Sequence, residues 1–290
     1  MNSYSKTKGW SWVPSLYFAE GLPYAFVMIV SVVLYKNLNI SNTDIALYTS
    51  WLYLPWVIKP LWSPFVDIIK TKRYWIVLTQ LIIGASLAGV AFAIPTTNTL
   101  QYTLAFFWLM AFSSSTHDIA ADGFYMLGLS SHDQSWFIGI RNTFYRFAIL
   151  FGQGIIIIIA GQLENITGNL KLAWSLVFGI LSGLFILLAI YHKWVLPQPK
   201  NDQEEFNISK KDIIKEYFEI IKAYFKKPQI LLIISFILLY RFGEAQLVKI
   251  APLFMLDSLE SGGLGLSTSE YGFIYGTLGV AMLTLGGIVG

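Results

Sequence analysis

Residues 100–129 read LQYTLAFFWLMAFSSSTHDIAADGFYMLGL. A helix rises about 1.5 Å per residue, so this run can cross a hydrocarbon core of about 30 Å. It nevertheless carries Asp118 and Asp122, which are four residues apart and therefore lie on one helix face. A charge near the bilayer centre costs roughly 2.5–3.5 kcal/mol on insertion scales, so it is usually paired or faces a water-filled path. The stretch predicts a membrane-spanning helix whose two buried carboxylates are paired or face a water-filled path.

The next apolar run, 135–160, leads back across the membrane and carries Arg141 and Arg146. Counted from the connecting turn, Asp122 and Arg141 lie at similar depth, and so do Asp118 and Arg146, at about 11 and 18 Å for a rise of about 1.5 Å per residue. We therefore expect the ion pairs Asp122–Arg141 and Asp118–Arg146 between two adjacent antiparallel helices.

The composition extends this interpretation to the whole chain. Of 290 residues, 55% are hydrophobic and 13% are charged, whereas soluble domains carry about 25% charged residues. The apolar runs, spans 1 to 8, cover roughly 12–35, 43–66, 74–94, 100–129, 135–160, 172–196, 229–256 and 270–290. A membrane barrel would instead show alternating segments of about 10 residues. The expected fold class is all-α membrane protein with about eight transmembrane helices.

Nine charged residues lie in the interior of these spans, away from the span ends, four acids against five bases: Glu20, Lys59, Asp118, Asp122, Arg141, Arg146, Arg241, Glu244 and Lys249. Glu20 and Lys59 fall at similar depth in spans 1 and 2. Arg241 and Glu244 are three apart on span 7, and Lys249 is near the end of that span, where it can snorkel. Opposite charges at matched depth predict a polar route through the membrane, which is typical of a transporter.

The mechanism expected of this route is proton coupling. Asp118 and Glu20 are the preferred proton carriers because they are the deepest acids of the first six spans. Removing a basic neighbour from a carboxylate changes its proton affinity, so a moving ion pair can couple protons to transport. Lys59, Asp122, Arg141 and Arg146 complete the ion-pair set. His117 could join the relay, or it could be a hydrogen-bonding packing residue.

Other residues of the spans could bind substrate. Arginine binds carboxylates and phosphates through paired hydrogen bonds, so Arg141, Arg146 and Arg241 are candidates for an anionic group on the substrate, with Glu244 beside them. Trp51 and Trp56 lie inside span 2 and could stack on a sugar ring or serve packing. Pro55, Pro60 and Pro64 should kink this span, because proline removes a backbone hydrogen bond.

Basic residues are concentrated on one side of the predicted membrane. With the N-terminus in the cytoplasm, the basic loop residues on that side are Lys6, Lys8, Lys70, Lys72, Arg73, Lys193, Lys200, Lys210, Lys211, Lys215, Lys222, Lys226 and Lys227. Only Lys36 and Lys171 fall in the opposite loops, so the positive-inside rule orients the chain. Asp67 with Lys70, Lys72 and Arg73 is similar to the gating-loop signature of major facilitators, although Ser63 replaces its glycine.

An internal repeat indicates two related halves. Ser41 with Asp44 precedes span 2, and Ser267 with Glu270 precedes span 8; both patterns are typical of a capped helix start. Their recurrence six spans apart predicts parallel repeats of six helices. We therefore expect a complete six-helix bundle at 1–196, a cytoplasmic linker with an interfacial amphipathic helix at 197–227, and the start of a truncated second bundle at 228–290.

Three motifs together resemble the AmpG-type muropeptide permeases of the major facilitator superfamily, which have a related branch of acetyl-CoA transporters. The motifs are Glu20-Gly-Leu-Pro23, Trp62-Ser-Pro-Phe-Val-Asp67 and His117-Asp-Ile-Ala-Ala-Asp122. The resemblance implies the major facilitator fold and a proton-driven importer of N-acetylglucosaminyl-anhydromuramyl peptides in a bacterial inner membrane. A permease for acetyl-CoA or another small organic solute is the alternative within this superfamily. A glutamine commonly stands in that group where this chain has His117.

Two other classes of function remain open at this point. A membrane-embedded enzyme could use His117, Asp118 and Asp122 as metal ligands, and a receptor or scaffold would not transport at all. The sequence offers no nucleotide-binding loop and no cysteine, so we expect neither ATP hydrolysis by this chain nor thiol metal sites. The expected partners are a small-molecule substrate, protons and the lipid bilayer, with no cofactor, no nucleic acid and a monomeric state.

Overall fold

The computed structural model describes residues 3–199, 202, 217–219, 222–223, 225–279 and 282. Throughout these residues the regular secondary structure is helical, as expected. The helices are α1 (Ser3–Ala25), α2 (Ser31–Asn37), α3 (Asn42–Trp51), α4 (Leu54–Ile58), α5 (Ser63–Ile68), α6 (Lys72–Ala93), α7 (Thr99–Gly128), α8 (Ser131–Leu150), α9 (Ile157–Thr167), α10 (Leu170–Val195), α11 (Ile230–Leu256) and α12 (Thr268–Tyr271). π-helical turns at Phe26–Val30 and Phe151–Ile156 join α1 to α2 and α8 to α9, and a third, Gly272–Gly279, follows α12.

Within the described residues, five helical stretches are long and apolar enough to cross a membrane: Gly9–Asn37, Lys72–Ala93, Ser131–Thr167, Leu170–Val195 and Ile230–Leu256. They correspond to spans 1, 3, 5, 6 and 7. The remaining three predicted spans are also helical, but they differ in character. Span 4 is the continuous helix α7, which carries many polar residues. Span 2 is divided into α3, α4 and α5. Span 8 extends beyond the residues that the structure describes.

Span 2 is interrupted where its prolines predict. Helix α3 ends four residues before Pro55, and Pro60 lies in a 3₁₀ turn at Lys59–Leu61. Trp62, the residue before α5, has φ −125° and ψ −1°, so the helix does not continue into the segment that begins with Ser63 and Pro64. A proline cannot donate the helical backbone hydrogen bond and clashes with the preceding turn. Span 2 is therefore a series of short helices, and its side chains do not follow the face of one continuous helix.

Six spans pack into one bundle. Span 3 packs against spans 4 and 6, and span 1 packs against spans 4 and 5. The buried side chains include Phe26, Phe107, Phe178 and Phe185 in the larger apolar cluster. Span 7 is the least covered of the long helices: only 6% of its most apolar window is buried. The first six spans thus form the core that positions the polar groups.

The two ends of the bundle are named here by the residues they carry. The Lys36 end holds the loops that join spans 1–2, 3–4, 5–6 and 7–8. The Asp67 end holds the loops that join spans 2–3 and 4–5 and the start of the linker after α10. The proposed amphipathic helix in that linker lies mostly outside the described residues.

Candidate functional site

A cavity of about 280 Å³ lies among spans 1, 2, 4 and 5 of the bundle. Its lining residues are Glu20, Tyr24, Tyr53, Trp56, Lys59, Asp118 and Tyr145. Three of the charged residues selected from the sequence therefore meet around one space, together with four aromatic side chains. We refer to it as the central cavity.

The Lys59 ammonium group forms an ion pair with the Asp118 carboxylate at this cavity. The side chains are 34% and 17% exposed, so the pair is partly buried. Lys59 begins the 3₁₀ turn that interrupts span 2, and its side chain reaches Asp118 on span 4. The predicted Asp118–Arg146 pair is wrong: Asp118 binds Lys59 instead, and Arg146 is exposed on α8. Depth counting missed this pairing because span 2 is not a regular helix.

Glu20 is the second carboxylate of the central cavity. Its side chain is buried, and its Oε2 atom has no hydrogen-bond partner in the described part of the chain. Lys59, which the sequence places at the same depth, lines the same cavity but forms its ion pair with Asp118. A buried carboxylate oxygen without a donor is costly unless it binds a proton, water or a ligand. This oxygen of Glu20 therefore has the capacity to bind a proton or accept a hydrogen bond in the cavity, while the same carboxylate also interacts with Asp118.

The Asp122–Arg141 pair is confirmed, with Arg141 Nη2 2.8 Å from Asp122 Oδ1. Tyr17 donates a hydrogen bond of 3.1 Å to the same carboxylate oxygen. The guanidinium group of Arg141 lies 4.5 Å from the centre of the Tyr17 ring and 5.0 Å from that of Tyr125, where cation–π attraction adds to the ion pair. Arg141 is thus engaged by span 4 and span 1 and does not line the central cavity.

His117 faces away from the central cavity, into the core of the bundle. The amide of Gln80 lies between two imidazoles, 2.9 Å from His117 Nε2 and 2.9 Å from His192 Nδ1. Ser15 Oγ lies 3.0 Å from His192 Nε2, so the chain links spans 1, 3, 4 and 6. His117, Gln80 and His192 are fully buried. This environment favours the packing interpretation of His117 over a place in the proton relay.

The predicted gating loop forms local contacts at the Asp67 end. Lys72 pairs with Asp67 and also donates a 3.1 Å hydrogen bond to the Val66 carbonyl oxygen. Arg73 donates to the backbone carbonyl oxygen of Lys193 at the end of α10. Lys70 is exposed and has a positive φ of 66° in the turn between α5 and α6. The loop therefore ties spans 2, 3 and 6 together in this conformation.

Among the remaining substrate candidates whose side chains the structure describes, one tryptophan lines the central cavity and the others do not. Trp56 lines the cavity and contacts Tyr24 edge to face, with ring centres 5.4 Å apart. Trp51 is 59% exposed and does not line it. Glu244 is exposed on α11, and the side chain of Arg241 lies outside the description. The sequence therefore selected one aromatic residue of the cavity correctly.

Sequence reasoning missed the tyrosines of the cavity: Tyr24, Tyr53 and Tyr145. Their spacing carried a signal that could have found two of them. Tyr24 follows Glu20 by four residues, and Tyr53, Trp56 and Lys59 are three apart, so each set would lie on one face of a regular helix. Tyr145 comes from span 5 and is brought into the cavity by tertiary packing alone.

A metal site built from His117, Asp118 and Asp122 does not fit this geometry. His117 contacts Gln80, Asp118 pairs with Lys59, and Asp122 pairs with Arg141. The three side chains are engaged by three different elements and do not converge on one point. Their chemistry is that of neutralised charges, which removes the basis for the enzyme alternative.

The comparisons with known proteins agree with this arrangement. The sequence profile of the Major Facilitator Superfamily matches residues 15–290. The anhydromuropeptide permease of Escherichia coli K12 is 25% identical over 286 residues, which cover 94% of this chain and 52% of that protein. The putative transporter AmpG 3 of Rickettsia prowazekii is 25% identical over 269 residues, covering 86% of this chain and 59% of that protein.

A solved structure shares the fold. The crystal structure of a bacterial homologue of the human lysosomal transporter Spinster, in an inward-facing and unoccupied conformation, matches with a TM-score of 0.69 at 15% identity. The match covers 99% of this chain and 61% of that one. This chain thus spans about half to two thirds of the length of the proteins it matches. These relatives are permeases and transporters, not enzymes, and the chain belongs to the Major Facilitator Superfamily.

Proposed function

We propose that the chain forms part of a proton-coupled secondary transporter that imports a muropeptide or a related amino-sugar solute. The observation that carries the proposal is the central cavity, where the Lys59–Asp118 ion pair lies beside Glu20, whose Oε2 atom has no hydrogen-bond partner among the described residues. A membrane protein retains such costly groups when they bind a proton or a solute in the transport path.

The proposed coupling step is an exchange of partners at Asp118. A proton that binds Asp118 removes the charge that holds Lys59, and Lys59 is then free to bind Glu20 or an acidic group of the solute. When the proton leaves, Asp118 attracts Lys59 again. The solute binds between these steps, and its sugar ring stacks on the Trp56 and Tyr24 side chains, whose rings already face the cavity.

The charge of the cavity favours an amino-sugar solute over acetyl-CoA. Among the described lining residues, two acids face one base, whereas a ligand with several phosphate groups needs clustered cations. Hydroxyl and amide groups of a muropeptide can instead donate hydrogen bonds to Glu20 and accept them from the tyrosines. The name of the E. coli relative, an anhydromuropeptide permease, points to the same substrate class.

The proposed setting is a bacterial inner membrane with the N-terminus and the Asp67 end in the cytoplasm. The concentration of lysine and arginine in the loops of that end supports this orientation. In this setting a monomer imports solute from the Lys36 end to the Asp67 end, and the gating loop at Asp67 and Lys72 opens and closes the cytoplasmic side.

The test is uptake of a labelled anhydromuropeptide into proteoliposomes that contain the intact protein, with an imposed pH gradient. We expect uptake to require the gradient, to be lost in Asp118→Asn, and to persist in Lys171→Met, which removes an exposed charge far from the cavity. Uptake that ignores the gradient would exclude proton coupling. Full uptake by Asp118→Asn would remove Asp118 from the mechanism.

A further inference from the structure

The Lys36 end contains a cluster of polar contacts between the first six spans and spans 7 and 8. Lys36 forms an ion pair with Asp257, the residue after α11. Asn42 donates a 2.8 Å hydrogen bond to the other oxygen of the same carboxylate. Lys36 also donates to the Asn42 side-chain oxygen, at 2.9 Å. One carboxylate from span 7 is therefore held by two side chains of the loop between spans 1 and 2.

The loop between spans 1 and 2 is shaped to present these two side chains together. Asn39 has a φ of 60°, a conformation that asparagine adopts more readily than most residues. The backbone N–H of Ile40 then donates to the Tyr35 carbonyl oxygen at 3.1 Å and closes the turn. The chain reverses within a few residues, so Lys36 and Asn42 come to the same side without further ordering.

Asp257 is fixed on its own side of the contact as well. Its N–H donates to the Leu253 carbonyl oxygen at 2.9 Å, and its carbonyl oxygen accepts from Gly265 N–H at 2.7 Å. The loop between spans 7 and 8 thus folds back on the end of α11, with Gly262 and Gly265 at positive φ. Because both partners are ordered in advance, little conformational entropy is lost when they meet.

A second layer of contacts lies beside this cluster. Asn37 donates a 2.8 Å hydrogen bond to Thr268 Oγ1, at the first residue of α12. Spans 5 and 8 approach at backbone distance, because a methyl group on Gly161 would lie 2.8 Å from the backbone nitrogen of Ser269. Spans 7 and 8 touch the first six spans through α2, α3, α9 and the π-helical turns, which are segments of the Lys36 half of the bundle.

We propose that Lys36, Asn42 and Asp257 form a latch that holds the Lys36 end shut, so that the central cavity is reached from the Asp67 end until the latch opens. The contacts join the loop between spans 1 and 2, two of the spans that line the cavity, to the end of span 7. An isolated surface ion pair contributes little. This carboxylate instead accepts from a cation and an amide at once, and the Lys36 and Asp257 side chains are only 19% and 22% exposed.

The absence of cysteine from the sequence makes the latch testable by site-specific labelling. Tyr53→Cys places one thiol in the central cavity of the intact protein. A membrane-impermeant maleimide is then added to cells from the side that the Lys36 end faces. Hydrogen bonds to charged groups shift equilibria by about tenfold or more, so Asp257→Asn and Lys36→Met should each raise the labelling rate on the order of tenfold. Lys171→Met, at the same end but without a latch contact, is the matched control.

Exchange of the two charges separates a latch from a general loss of structure. Lys36→Asp combined with Asp257→Lys should return the labelling rate towards that of the parent, because the ion pair is restored. Asn42→Ala, which removes only a neutral amide, should give a smaller increase than either charge variant. If a charge variant fails to fold, the labelling rate of Asn42→Ala tests the latch in its place.

Labelling rates that stay at the parent value in Asp257→Asn, Lys36→Met and Asn42→Ala would overturn the latch. An equal increase in Lys171→Met would overturn it as well, because the effect would then follow net charge and not the contact. The labelling assay needs no solute and no proton gradient, so its result is independent of the transport proposal. Loss of muropeptide uptake would leave the latch standing, and the reverse is also true.

Discussion

At the scale of single residues, Asp118 and Asp122 show how the same residue type on one helix face acquires different partners. Asp122 meets Arg141 from the next helix, as counting from the short turn between α7 and α8 predicts. Asp118 meets Lys59 from span 2. Counting residues works between two regular helices joined by a tight turn, because the rise per residue is constant in both. It fails for Lys59, whose position depends on where prolines break the helix.

A double-mutant cycle should distinguish the two possible partners of Asp118. Lys59→Met leaves a partly buried carboxylate without its cation, and we expect a cost on the order of 2 kcal/mol, between the values for exposed and buried pairs. Combining it with Asp118→Asn should recover much of this cost, because the unpaired charge is gone. The free energy of unfolding in detergent measures the coupling.

The matched cycle combines Arg146→Gln with Asp118→Asn. Its coupling energy should be near zero, since Arg146 is exposed and does not pair with Asp118 in the described structure. A coupling for Arg146 as large as that for Lys59 would show that Asp118 also pairs with Arg146, the partner that depth counting predicted.

At the scale of elements, glycine sets how closely span 1 approaches span 5. A methyl group on Gly21 would lie 2.8 Å from the Tyr145 carbonyl oxygen and 2.9 Å from Ala148 Cβ. The neighbouring residues, Glu20 and Tyr145 themselves, line the central cavity. The contact between these two helices therefore fixes one wall of the cavity. Close packing against span 5 explains why a glycine stands at position 21 of the motif Glu20-Gly-Leu-Pro23.

Gly21→Ala should push spans 1 and 5 apart, because the clash includes a backbone atom that cannot rotate away. We expect a loss of roughly 1–3 kcal/mol, as for other overpacked positions, measured as the free energy of unfolding in detergent. Gly179→Ala in α10 is the control, since nothing lies within 4 Å of its added methyl group. There the better helix propensity of alanine should leave stability unchanged or higher. Equal effects at both positions would contradict a close approach at Gly21.

At the scale of the whole molecule, the charges at its two ends have different structural roles. At the Asp67 end, Lys72 pairs with Asp67, and Arg73 donates to the backbone carbonyl oxygen of Lys193. Both contacts lie within the first six spans. At the Lys36 end, Lys36 reaches span 7. A second, polar cavity lies at this end, and Glu164 lines it together with Lys36 and Asp257. The hydrogen bond from Lys36, followed by that from Asn42, holds the pKa of Asp257 below its usual value of 3.8, and partial burial opposes this only in part.

This direction of the shift predicts the pH range of the latch. A carboxylate whose pKa is lowered in the closed state stabilises that state fully above its ordinary pKa of 3.8 and loses the effect as the pH falls through the lowered value. Because only the thiolate reacts with maleimide, the labelling rate of Tyr53→Cys from the Lys36 side is divided at each pH by that of a small free thiol. This ratio should stay constant between pH 8 and 5, taken as roughly the range in which a carboxylate remains ionised. A rise within that range that disappears in Asp257→Asn would show that Asp257 titrates higher and acts as a proton sensor.

Much of the fold and part of the site could be predicted from the sequence. Apolar length predicted the helices, proline positions predicted the breaks in span 2, and the serine-acid pairs predicted real caps. Ser41 and Ser267 both accept from the backbone N–H three residues on, and Ser267 with Glu270 forms a full capping box. These features depend on interactions between residues that are close in the sequence, so sequence patterns can predict them.

The sequence by itself determined that this chain is a bundle of membrane helices carrying charges that must be neutralised, because hydrocarbon leaves no other way to keep them. Only the tertiary structure decided which charges meet. Lys59 finds Asp118, Gln80 joins two histidines, and Lys36 reaches Asp257 across more than two hundred residues. Each of these contacts depends on the rotation and tilt of helices that are distant in sequence. Rotation and tilt are set by side-chain packing over the whole bundle, so they cannot be predicted from a short stretch of sequence.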